Sequence, residues 1–169
     1  MFHTPEWGFY MKTHESTAVL LLILERTAEK WHLLATLVTD SQAKQAAEGE
    51  WSLAEVLAHL RACAEVWSHS IVMMVAQSQP ELAYIHPNTW MKTCRYAELP
   101  FAGAVQAFVI RRQELLYFLR GLDEHQWERT GRIKGREHSV YSQVRRMALH
   151  EEKHIIQIER LVTRIREVN

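Results

Sequence analysis

Long apolar runs, turn-forming residues and a charge imbalance are all missing from this sequence. The longest uninterrupted apolar stretch is Ala18 to Leu24, closed by Glu25, far short of the roughly eighteen residues that a membrane span needs. No basic segment followed by an apolar one opens the chain, so no secretory signal is expected. Six glycines and four prolines are few for 169 residues, and Asp40 and Asp123 are the only aspartates beside eighteen glutamates. Turn formers are thus scarce and helix formers abundant, which argues against an all-β fold. Cys63 and Cys94 lie far apart without a CxxC motif and supply no disulfide framework. Twenty Lys and Arg balance twenty Asp and Glu, so no global field draws the chain to nucleic acid or an anionic membrane. The expected setting is the cytoplasm, with no specific nucleic-acid partner and no membrane.

What is present is helical periodicity. Leu20, Ile23, Leu24, Thr27, Trp31, Leu34, Ala35 and Val38 follow 3.6-residue spacing and predict a first helix from Ser16 to about Val38. Leu21 and Leu22 widen its apolar face, as a homodimer contact would. After a polar connection from Thr39 to Glu50, Ser52 and Glu55 form a capping-box pattern opening a second helix, whose stripe is Leu53, Val56, Leu60, Cys63, Trp67, Ile71 and Met74. Gln77 to Leu99 has no sustained period and reads as a long loop. Pro100 suits the first turn of a third helix with the stripe Phe101, Ala104, Val105, Phe108, Leu115 and Leu119, ended by Gly121. A connection from Leu122 to His138 leads to Ser139, a plausible N-cap for a fourth helix that runs nearly to the end, with the stripe Val140, Val144, Met147, Ile155, Ile158 and Val162. Such stripes must bury one another. The expectation is an all-α fold, a four-helix bundle over residues 16–169, with residues 1–15 as an N-terminal extension.

Ten histidines are the unusual count, and His150-Glu151-Glu152-Lys153-His154 is the sharpest local feature. Histidines four apart share one helical face and can offer two imidazoles to one ion. Chance alone supplies roughly 0.6 such pairs in a chain of this composition, and about 0.06 with Glu directly after the first His, so only the second form carries weight. A zinc protease would use Glu151 to activate water, but Gln157 and Arg160 stand where its extended motif needs Gly and His, and no His or Cys follows His154. A third ligand must therefore come from another helix. His59 lies about 80° to one side of its stripe, at the border from which it could reach the fourth helix.

Trp51-Ser52, His59-Leu60, Trp127 with Gly131 and Gly135, and His150-x3-His154-x2-Gln157 together resemble the DinB/YfiT-like metalloenzymes, over about residues 16 to 166. The resemblance implies a four-helix bundle in which His59, His150 and His154 bind a divalent metal, nickel or zinc. It also implies a small-molecule substrate, a low-molecular-weight thiol as co-substrate, and thiol S-transferase activity. A metal-dependent hydrolase is a second enzymatic reading, and a non-catalytic stress-response or interaction module with a structural metal is a third. Three imidazoles leave such an ion with open positions.

Several residues carry two readings. Cys63, one turn after His59, is either a core cysteine or a fourth ligand closing the site. Glu151 lies within about 20° of the centre of its helix's apolar stripe, and Arg112 is similarly placed between Phe108 and Leu115, where a charge is costly unless paired. They either pair with each other or reach solvent at a bundle end, or else serve the site, Glu151 as a proton acceptor or orienting group and Arg112 as a clamp for a bound carboxylate. Arg129, Arg132, Lys134 and Arg136 form either an anion-receiving loop or a solvated connection.

Overall fold

The computed structural model describes residues 15–167, so the N-terminal extension, apart from Glu15, lies outside the described residues. Four long helices, α1 (Thr17–Leu37), α3 (Leu53–Ala76), α5 (Phe101–Arg120) and α7 (Val140–Glu167), form the bundle. Each begins near the position that the sequence predicts. Ser16 accepts from the Val19 N–H, and the Ser52–Glu55 capping box closes in both directions. The Ser139 hydroxyl accepts from the Ser142 N–H at 3.1 Å. Pro100 caps α5 from one position earlier than expected, and the first free N–H, on Phe101, is taken by Asp40 Oδ1 at 2.7 Å. No helix among the described residues is long and apolar enough to cross a membrane.

The connections are more structured than their sequence implies. The polar stretch after α1 contains the short helix α2 (Asp40–Lys44). Residues 77–99, expected to be loop, form the strand β1 (Glu81–Leu82), the helix α4 (Pro87–Thr93) and a 3-10 turn at Tyr96–Glu98. His86 and Pro87 explain α4: proline at the first helical position needs no hydrogen-bond donor, and the His86 ring accepts from the Asn88 N–H. The next connection holds α6 (Glu124–Glu128) and a hairpin of β2 (Thr130–Ile133) and β3 (Arg136–Ser139). Lys134 and Gly135 both take positive φ in its two-residue turn, the combination that matches strand twist. β2 also pairs in parallel with β1. Gly131 is needed there, since a Cβ would come within 3.1 Å of both Met74 and Pro80.

Arg129, Arg132 and Lys134 of this connection are engaged within the fold. Arg129 donates to the carbonyls of Met74 and Gln77 at the end of α3, where unpaired carbonyls and the helix dipole favour a cation. Lys134 lies over the Tyr84 ring, and Arg132 approaches Glu81.

The core has two apolar clusters, one at each end of the bundle. The first gathers Trp31, Leu34, Leu57, Leu60, Phe101 and Phe108 with Ile158 and Leu161; the second gathers Leu20, Leu24, Trp67, Ile71, Leu115 and Leu119 with Val144 and Met147. Following each helix from one cluster to the other shows α1 and α7 running one way and α3 and α5 the other. α1 packs on α5 and α7, α3 packs on α7, and the seam between the parallel helices α3 and α5 is the loosest.

Between the clusters lie the only charged residues in the core among those described, Arg112 and Glu151, each 1% exposed at its side chain. They form a bidentate pair across the bundle diagonal, at 3.0 and 2.5 Å. Burial pushes the Glu151 carboxyl up, against the pull of Arg112 and Thr27. Breaking such a pair leaves an uncompensated buried charge, whereas replacing both members by apolar groups of similar size removes the cost. Arg112→Met alone should therefore lower unfolding stability by about 3–5 kcal/mol, and Arg112→Met with Glu151→Leu by much less. Urea denaturation of the two variants checks this, and equal losses would show that the pair is not coupled in this way.

Candidate metal centre

α3 and α7 run antiparallel beside the ion pair, and at this level they bring His59, His150 and His154 together. On α7, Glu151 points across the bundle to α5, so His150 and His154 turn toward α3 at about 100° per residue. The three rings lie with centroids 4.7–5.3 Å apart, and their ligand atoms all fall within 4.8 Å of one another. His59 Nε2 and His150 Nε2 are 3.3 Å apart. Among the described residues this is the only group of three or more His, Cys, Asp or Glu with metal-ligand proximity.

The surroundings decide which nitrogen two of the rings present. His59 Nδ1 meets Asn88 Oδ1 at 3.0 Å and His154 Nδ1 meets Gln157 Oε1 at 2.7 Å. An amide oxygen only accepts, so both Nδ1 atoms carry the proton and both Nε2 atoms present a lone pair. Such outer partners are what fix tautomer and ring orientation in histidine metal sites. The donor set and its tautomers therefore fit a divalent ion. Trp51 packs edge-on against His59 at 5.1 Å and Trp67 against His150 at 5.1 Å, making the apolar walls.

Burial, reinforced by His154 and His59, pushes His150 down to about 4. Burial and His154 also lower His59, although its bond to Asn88 opposes the shift. Both rings are thereby neutral at pH 7 and able to act as ligands.

Cys63 lies beside this cluster, with Sγ 3.6 Å from His59 Nε2, but the mutually close ligand set does not include it. Its side chain is buried in the second core cluster, and burial pushes its thiol up to about 12. Arg112 and Glu151 are held by each other, the first of their two readings. Asn88 was missed in the sequence because it falls in a segment read as loop; the His86-Pro87 helix start was the available signal.

The lowered His150 has a measurable consequence. Between about pH 6.5 and pH 4 the unfolded chain binds a proton at this residue and the folded chain does not, so stability falls as pH falls through that window. In chelator-treated protein, the urea midpoint should decline over this range in the wild type and decline less in His150→Gln. Parallel profiles would contradict the assignment.

A sequence model of the DinB superfamily matches residues 23–158. No curated protein matches the chain. Among solved structures it is similar to YfiT from Bacillus subtilis, described as a probable metal-dependent hydrolase with an unusual four-helix bundle topology. That match has 16% identity and a TM-score of 0.76, covering 96% of this chain and 93% of that one. It is also similar to the mycothiol-dependent maleylpyruvate isomerase, at 13% identity and a TM-score of 0.64, covering 85% of this chain and 61% of that one. At these identities the likeness is one of fold. The family match spans most of the chain and contains His59, His150 and His154: the protein belongs to the DinB superfamily.

Proposed function

We propose that this protein is a divalent-metal-dependent enzyme acting on a small molecule, of the thiol S-transferase type, with His59, His150 and His154 as metal ligands. The observation that carries the reading is the convergence of three imidazoles, two of them oriented by amide oxygens on their far nitrogens. When bound, a nickel or zinc ion supplies a Lewis acid with open positions that can lower the pKa of a thiol or of water. The chain's own residues do the rest. Asn88 and Gln157 hold two rings in register, and Trp51 and Trp67 limit water at the histidines. Arg112 and Glu151 enter this reading as positioning residues, since their pairing sets the rotation of α7 on which His150 and His154 stand.

Metal-dependent hydrolysis is the second reading, supported by the description of YfiT. It needs the same ligands and differs in whether a thiol is consumed. Exposed Val19, Leu22, Leu33 and Leu37 on α1 are the surface we assign to a homodimer.

The test is metal content by mass spectrometry on untagged protein, with light scattering on the same samples. Wild type should carry near one equivalent of metal per chain, as a species of about twice 19.8 kDa, and His59→Ala and His154→Ala should lose the metal while staying folded. Metal-loaded wild type should then consume a low-molecular-weight thiol when given an electrophile. Metal unaffected by either change would overturn the site. Turnover of an ester or amide without thiol would replace transfer by hydrolysis, and a 20 kDa species would remove the dimer.

A further inference from the structure

The loose seam between α3 and α5 opens into a cleft of about 910 Å3, within the size range of small-molecule sites. It is separate from the histidines. His59 faces α7, whereas Arg61, Ala64, Glu65 and Ser68, which line the cleft, lie about half a turn around α3. The returning segment between α3 and α5 roofs it with Leu82, Ile85, Trp90 and Tyr96.

The cleft has two chemically different ends. At the polar end Glu65 accepts from Arg61 Nε at 3.1 Å, Trp90 Nε1 at 2.9 Å and the Tyr96 hydroxyl at 2.5 Å, and Arg61 stacks on the Tyr96 ring. Arg111 approaches the same carboxylate only at 3.5 Å and is 61% exposed. One carboxylate thus faces two guanidiniums, which leaves this end net positive and Arg111 the loosely held cation. Toward the other end Val72, Leu82, Leu115 and Phe118 make an apolar wall, while the exposed Glu114 and His69 stand midway between the ends on α5 and α3. Because α3 and α5 are parallel, the ends are in register. Seven residues separate Glu65 from Val72 and Arg111 from Phe118, a rise of about 10 Å on each helix.

We propose that this cleft is a binding site for a small amphiphilic anion, a medium-chain carboxylate whose head meets Arg111 and whose chain lies toward Val72 and Phe118. A guanidinium fork matches a carboxylate in geometry as well as charge. The apolar wall gains by covering the chain. The site does not depend on the metal centre, although α4 touches both, through Asn88 on one side and Trp90 on the other.

The probes are decanoate and its uncharged counterpart decan-1-ol, titrated calorimetrically into the full chain, with amide NMR shifts to locate them. Decanoate should bind one per chain and shift residues 61–72 and 108–118. Arg111→Ala should weaken decanoate about tenfold and leave decan-1-ol unaffected, as expected for loss of one charge-assisted contact. Val72→Trp, at a position 43% exposed and so tolerant of bulk, should abolish binding of both. Removing metal with a chelator should leave decanoate affinity unchanged, which separates this site from the histidines. Absence of decanoate binding, affinity indifferent to both variants, or affinity that disappears with the metal would overturn the proposal. Equal affinity for decanoate and decan-1-ol would overturn the anionic head.

Discussion

A guanidinium and a carboxylate in the middle of a helical bundle are tolerable only if each satisfies the other, and that condition organises this molecule. Arg112 and Glu151 meet in a fork at the level where the two apolar clusters part. Because both oxygens of Glu151 are engaged, α5 and α7 can neither slide nor rotate without exposing an unpaired charge to a dry interior. A fixed rotation of α7 follows from this constraint: with residue 151 directed to α5, residues 150 and 154 are directed to α3. The imidazoles of α7 and the ion pair are thus neighbouring consequences of one helix orientation.

Direction is the second constraint. α3 and α5 are parallel neighbours, so the chain must return the length of the bundle between them. A 24-residue α3 rises about 36 Å, and the residues after it span that distance as β1, α4 and a 3-10 turn. This return lies against the outside of α3, where Asn88 reaches His59 and Trp90 reaches Glu65 two residues later. The α3–α5 seam beside it is the open one. The histidine cluster and the cleft are on opposite sides of one helix, and both are completed by a segment whose sequence shows no period.

The parts legible in the sequence are those set by local chemistry. The stripes of Leu20 to Val38, Leu53 to Met74, Phe101 to Leu119 and Val140 to Val162 are the core, and Ser52 with Glu55 caps as its spacing predicts. Pattern also located both anomalous charges, because a Glu or Arg inside an apolar stripe stands out whatever its partner. Which of two roles each would take was not legible, since that depends on whether position 112 of one helix and position 151 of another share a level. The three histidines were visible through the four-residue spacing on α7 and the border position of His59, with the family resemblance joining them. The return segment was not legible for a different reason. β1 is two residues long and α4 is seven, too short for periodicity, and their order comes from contacts with α3 and β2. The Lys134-Gly135 turn was likewise obscured, as lysine seldom takes positive φ.

The central claim is that a divalent ion lies between His59, His150 and His154. Its most direct test is a crystal of protein purified without chelator, measured above and below the absorption edges of nickel and zinc. The account predicts one strong anomalous peak per chain, at bonding distance from the Nε2 atoms of all three rings, with Asn88 and Gln157 still on the far nitrogens. An anomalous peak elsewhere in the molecule, or fully occupied metal held by fewer than three of these histidines, would contradict it.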